Sequence, residues 1–67
     1  MNERQAEVYA WTAAYIDDHG YAPTLREVRD GCGLSTTSLA DYHLTKLEAA
    51  GRIRRTPGVA RSIVLVE

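Results

Sequence analysis

Two groups of side chains in this chain have types and spacing suited to recognition rather than to bond-making. The first is polar. Ser38, Asp41, Tyr42 and Thr45 recur at three- and four-residue intervals, so a helix would show them on one side. Hydroxyl groups both donate and accept and a carboxylate accepts, a combination that can tell one hydrogen-bonding edge from another. The second group is cationic. Arg52, Arg54, Arg55 and Arg61 fall within ten residues, with Lys46 a little upstream, and clustered positive charge of this kind suits phosphate. Arg54 and Arg55 are consecutive strand residues that point to opposite faces, so they do not both meet one ligand surface.

Other chemistries find less support. No nucleophile–base pair, paired carboxylates or phosphate-cradling glycine loop is visible, and a catalytic role is the weakest reading. The one cysteine, Cys32, cannot form an internal disulfide, and with two distant histidines it makes no metal set of recognised spacing. Cys32 reads as small-residue packing and His43 as a core-edge residue. No cofactor and no small-molecule ligand is implied.

The elements that must position these groups belong to a small fold. The 67 residues suit one domain, 1–67, with a thin core and a stability of only a few kcal/mol. Apolar residues at 45% and charged residues at 25% give an ordinary globular balance. The N-terminus is too charged for a signal peptide, and no apolar run suffices to span a membrane, so a soluble, cytoplasmic chain is expected. Net charge is −1, but residues 1–45 carry −4 and residues 46–67 carry +3, which concentrates the basic character at the end.

From Glu3 to Asp18, Val8, Trp11, Thr12, Tyr15 and Ile16 keep the spacing of one helix face, and Gly20 ends it. Tyr9, Trp11 and Tyr15 are core aromatics on this reading. Thr24 and Glu27 form a capping box for a second helix over about Leu25–Cys32, with Leu25 and Val28 turned inward. Gly33 can take the left-handed conformation that closes that helix, and Ser35 or Thr36 can cap a third. This third helix should run to Ala50 and stop at Gly51. It carries Ala40, His43, Leu44 and Leu47 on one side and the polar group on the other. Ile53 between arginines, a turn at TPGVAR and the β-branched run SIVLV then predict two strands.

Two helices joined by a short glycine turn fit a helix-turn-helix unit, and a trailing hairpin makes it a winged one. The expected class is therefore α+β, a winged helix-turn-helix of three helices followed by a two-stranded β-hairpin wing. In that architecture the third helix enters a DNA major groove while the arginines meet phosphates or the minor groove.

The stretches ERQAEVYAWTAAYI, GYAPTLREVRDGCGL and HLTKLEAAGRIRR resemble the N-terminal DNA-binding domain of LexA-type SOS repressors, most closely its actinobacterial branch. The resemblance implies that residues early in the third helix contact the bases of a palindromic operator. Carried over by position, these are Thr36, Ser38, Leu39, Asp41 and Tyr42. Ser35, Thr45, Lys46, Arg52, Arg54, Arg55 and Arg61 are the expected backbone and wing contacts.

Thr36 and Ser38 can bond a base edge or phosphate, Asp41 can accept from a cytosine amino group, and Leu39 can pack on a thymine methyl. Leu39 and Tyr42 are bulkier or less polar than is usual in the family, which bears on which operator is read. Repressors of this family continue through a linker into an autoprotease domain that holds a dimer. None of that follows in these residues, so the chain reads as an excised domain or a small stand-alone regulator.

The leading expectation is a sequence-specific double-stranded DNA-binding transcriptional regulator, a repressor that pairs as a homodimer on DNA. The alternative is a small winged-helix protein-interaction module, such as a phage or accessory factor that binds a repressor or polymerase.

Overall fold

A computed structural model describes residues 2–66; Met1 and Glu67, the two ends of the expected domain, lie outside the described residues. The order is α1 (Glu3–His19), α2 (Leu25–Gly31), α3 (Thr37–Ala49), β1 (Ile53–Arg54) and β2 (Val64–Leu65). This is the three-helix and hairpin order that periodicity and turn residues predict.

The helices start and stop where side chains satisfy free backbone groups. At α2, Glu27 N–H donates to Thr24 Oγ1 (3.2 Å) and Thr24 N–H donates to Glu27 Oε1 (2.8 Å), completing the predicted capping box. An equivalent box opens α1. Gln5 N–H donates to Asn2 Oδ1 at 2.8 Å while the Gln5 side chain accepts from the Asn2 amide, an arrangement not read from the sequence.

Helix α2 ends at Gly31, one residue sooner than expected, because Gly33 turns left-handed (φ 67°) and redirects the chain. Leu34 N–H then reaches back to Arg29 C=O (2.8 Å), the six-to-one bond of a Schellman closure. The same closure ends α3 at Ala49, with Arg52 N–H on Leu47 C=O (2.9 Å) and Gly51 N–H on Glu48 C=O (2.9 Å).

The core lies where α3 crosses both other helices. Val8, Val28, Ala40, Leu44, Leu47, Ile53 and Ile63 are buried together, and Tyr9, Trp11 and Ile16 pack against them from the side. Leu25 departs from expectation. As the first residue of α2 it stands at the lip of an open cleft and is 38% exposed, and Ala22 and Pro23 just before it are buried instead.

Trp11 lies so close to Gly31 that a Cβ there would run into the indole ring, so this glycine sets the approach of α1 to α2. Among the described residues, two buried polar atoms have no partner, Thr12 Oγ1 and His43 Nδ1.

The hairpin is shorter than the SIVLV run suggests. Its antiparallel register pairs Ile53 with Leu65 and Arg54 with Val64, and Val66 N–H adds one bond to Arg52 C=O (2.9 Å). Between the strands, Val59 N–H returns to Thr56 C=O (3.2 Å) across Pro57 and Gly58, whose φ is 74°. Pro at the second position and a left-handed Gly at the third are what a type II turn requires. Ser62 closes the loop, its hydroxyl accepting from Thr56 N–H (3.0 Å) and donating to Thr56 C=O (3.2 Å). No helix among the described residues is long and apolar enough to cross a membrane.

Candidate nucleic-acid interface

Helix α3 is held by one side and bare on the other. Ala40, His43, Leu44 and Leu47 are buried, whereas Ser38, Leu39, Asp41, Tyr42, Thr45 and Lys46 are all exposed. With 3.6 residues per turn, Ser38, Tyr42 and Thr45 lie opposite the buried stripe. Asp41 and Glu48 lie on the flank toward the wing, and Leu39 and Lys46 lie on the other flank.

The start of the helix is fixed by Thr36, whose Oγ1 accepts from Leu39 N–H at 3.1 Å, so this hydroxyl is engaged as a cap and retains its own proton to donate. Ser35 is exposed in the preceding turn. Of the residues that the sequence groups as base-reading, Ser38 and Tyr42 face away from the core, Asp41 and Leu39 stand on the two flanks, and Thr36 caps the helix.

Tyr42 is 51% exposed, its ring edge-on to His43 (5.3 Å) and under the Lys46 ammonium (5.5 Å). That ammonium stays on the outer flank of α3, partly immobilised by the ring.

The four arginines separate sharply. The Arg54 side chain is exposed and makes no hydrogen bond or ion pair among the described residues. Arg52 lies over the Tyr9 ring of α1 (5.1 Å).

Arg55 turns onto α3 instead. Its Nε donates to Glu48 Oε1 (2.7 Å), one Nη to Asp41 Oδ1 (2.9 Å) and the other to Thr45 Oγ1 (3.0 Å), with only 19% of its side chain exposed. Burial by itself would favour loss of the Arg55 proton, but the bonds to Glu48 and Asp41 outweigh it and raise the pKa above its ordinary value.

Arg61 turns the opposite way, onto the start of α2. It donates to Glu27 Oε1 (2.9 Å) and Ala22 C=O (3.0 Å), and its guanidinium stacks over Tyr21 (4.8 Å). Arg61 is also the one non-glycine residue described with a positive φ, 55°. An L-residue is costly there, and this set of bonds holds it in place. Glu27 responds in kind: the Thr24 amide, with help from Arg61, lowers its carboxyl to about 2.

An open cleft runs between α3 and the wing, with Thr37 and Asp41 on one wall, Pro57 to Ser62 on the other, and Leu25 and Arg26 at its end. Arg26 was absent from the residues singled out by sequence. It is exposed and, like that of Arg54, its side chain makes no hydrogen bond or ion pair among the described residues. The available signal was its place directly inside the Thr24–Glu27 capping box, on the helix preceding the turn.

Cys32 is half-buried, and burial pushes its thiol up, away from the reactive thiolate; its carbonyl accepts from Arg4 at 2.7 Å. No group of three or more His, Cys, Asp or Glu side chains among the described residues is placed to hold a metal ion.

Comparison with known proteins gives one family. The LexA repressor of Staphylococcus carnosus is 36% identical over 66 residues, covering 98% of this chain and 32% of the repressor. That of Ligilactobacillus salivarius is 41% identical over 61 residues, covering 91% and 30%. That of Herpetosiphon aurantiacus is 35% identical over 66 residues, covering 98% and 31%. The chain thus spans about a third of the length of the curated relatives it matches. The family model described as the LexA DNA binding domain matches residues 1–62, from α1 through the wing loop, and the chain belongs to that family.

Proposed function

We propose that this chain is the operator-reading part of a transcriptional repressor. It binds double-stranded DNA in a sequence-dependent way, with the bare face of α3 in the major groove and the wing against the flanking backbone. The observation that carries this reading is the division of α3: four buried residues anchor it, and Ser38, Leu39, Asp41 and Tyr42 are all exposed away from the core.

Ser38, Leu39, Asp41 and Tyr42 read base edges, with Leu39 suited to a thymine methyl and Asp41 to an exocyclic amino group. Thr36 and Ser35, at the helix start, meet the adjacent phosphate. Arg54, Lys46, Arg26 and Arg52 supply positive charge to the backbone, while Arg55 and Arg61 fix the wing from its two sides. Thr45 meets the backbone beside Arg55.

One α3 of this length spans only a few base pairs, so a selective site needs two copies on a two-fold, palindromic operator.

Paired substitutions test the division of labour. Ser38→Ala should relax base preference while leaving binding to random duplex within about twofold, because one lost base contact is worth roughly 1–3 kcal/mol only on the right sequence. Arg54→Ala should weaken operator and random duplex alike and reduce the slope of log affinity against log salt by about 1. If both variants act equally on specific and random DNA, α3 does not read bases.

A further inference from the structure

We propose that Arg55 is a positioning residue for sequence readout: it fixes the carboxylate of Asp41 at the groove and offsets part of the negative charge that Asp41 and Glu48 place there, and it is not itself a phosphate contact. The inference rests on α3 being the reading helix.

Asp41, Thr45 and Glu48 are spaced four and three apart, so they form one ridge along the wing-side flank of α3. Arg55, the residue after β1, lies along that ridge and gives a different nitrogen to each of the three side chains, at 2.9, 3.0 and 2.7 Å. A planar fork with three fixed acceptors has little rotational freedom, and its partners lose theirs with it. With only 19% of its side chain exposed and three of its donors used, Arg55 has little left to offer a phosphate.

Asp41 is placed differently. Its side chain is 56% exposed, and Arg55 takes only Oδ1, which leaves Oδ2 able to accept from an amino group on a base edge. Charge matters as well. Asp41 and Glu48 are two acids on the face that must approach a polyanion, and an unpaired carboxylate there would repel DNA whatever its sequence. Arg55 is the cation in contact with both. Orientation and partial neutralisation together turn an unfavourable residue into a selective one, and they explain why a cation of the wing is turned inward.

The test uses the 67-residue chain and duplexes selected by it from a random pool. Wild type, Asp41→Ala, Arg55→Ala and the double variant are each put through the selection, and their affinities for the wild-type consensus are measured against salt. Arg55→Ala should lose preference at the same base pair as Asp41→Ala and fall about tenfold in affinity for the consensus. In the Asp41→Ala background the same change should cost less than about twofold, since coupled residues are non-additive. The salt slope should fall by less than in Arg54→Ala, because Arg55 acts on the phosphates only through the carboxylates it offsets.

Arg55→Lys keeps the charge but cannot span three acceptors, so it should relax the same base pair, and it carries the test should Arg55→Ala not fold. The inference is overturned if Arg55→Ala and Arg55→Lys keep the wild-type consensus, or if Arg55→Ala and Asp41→Ala act additively with a salt slope reduced as much as in Arg54→Ala. A wild-type chain that selects no consensus defeats the reading of α3 itself, and an Asp41→Ala chain that keeps the full consensus removes the residue that Arg55 would position.

Discussion

The three-helix body and the wing are held by different physics. In the body, α3 crosses α1 and α2 through fully buried Val8, Val28, Ala40, Leu44 and Leu47, and shape decides the fit, most visibly where Trp11 lies against Gly31. The wing has two strands of two residues each, buries Ile53 and Ile63, and is otherwise tied down by polar bonds from Arg55 on one side and Arg61 on the other. A two-stranded ribbon alone is marginal in water. The body should therefore respond to changes in volume, and the wing to changes in charge.

The largest break in that comparison comes from the body. Gly31→Ala drives a methyl into the Trp11 indole and should destabilise the chain by about 1–3 kcal/mol, read from urea unfolding, despite the better helix propensity of Ala. A neutral result would mean that α1 and α2 can slide apart freely.

Next is Thr12, fully buried with an unpartnered hydroxyl. Thr12→Val replaces that hydroxyl with a methyl and should stabilise by about 1 kcal/mol in the same assay, since an unsatisfied buried polar group costs about 1–3 kcal/mol.

The smallest effect lies where the wing meets the start of α2 and depends on pH. The Glu27 carboxyl is held at about 2, against an ordinary 4.5, first by the Thr24 amide and then by Arg61. A lowered folded-state pKa means stability that is fully present above the unfolded value and lost as pH falls through the folded one. Glu27→Gln should thus melt slightly below wild type at pH 7, with the gap closing between about pH 4.5 and pH 2. A gap independent of pH would show that the charge of Glu27 does not hold the wing.

Much of the body was legible because its signals are local. The Thr24 to Glu27 box, the left-handed Gly33 and the spacing of Ala40, His43, Leu44 and Leu47 each act within one or two turns of chain. Leu25 was misplaced because helical spacing does not say which residue of a first turn lies over a cleft and which over a core.

The wing was legible as an element but not in its bonding. Arg55 meets partners 7, 10 and 14 residues away and Arg61 meets Glu27 across 34, distances at which a long flexible side chain has many acceptors to choose from. Four arginines in ten residues look alike in sequence, and only their tertiary surroundings separate exposed Arg54 from the two that brace the wing.

The bare face of α3 is proposed to read sequence. Repeated selection of duplexes from a random pool by the 67-residue chain, followed by sequencing, tests it most directly. The expected result is a short consensus repeated with two-fold symmetry, its strongest positions altered by Ser38→Ala. Retention of duplexes with no enriched motif, or a motif unchanged by every substitution between Thr36 and Tyr42, would contradict it.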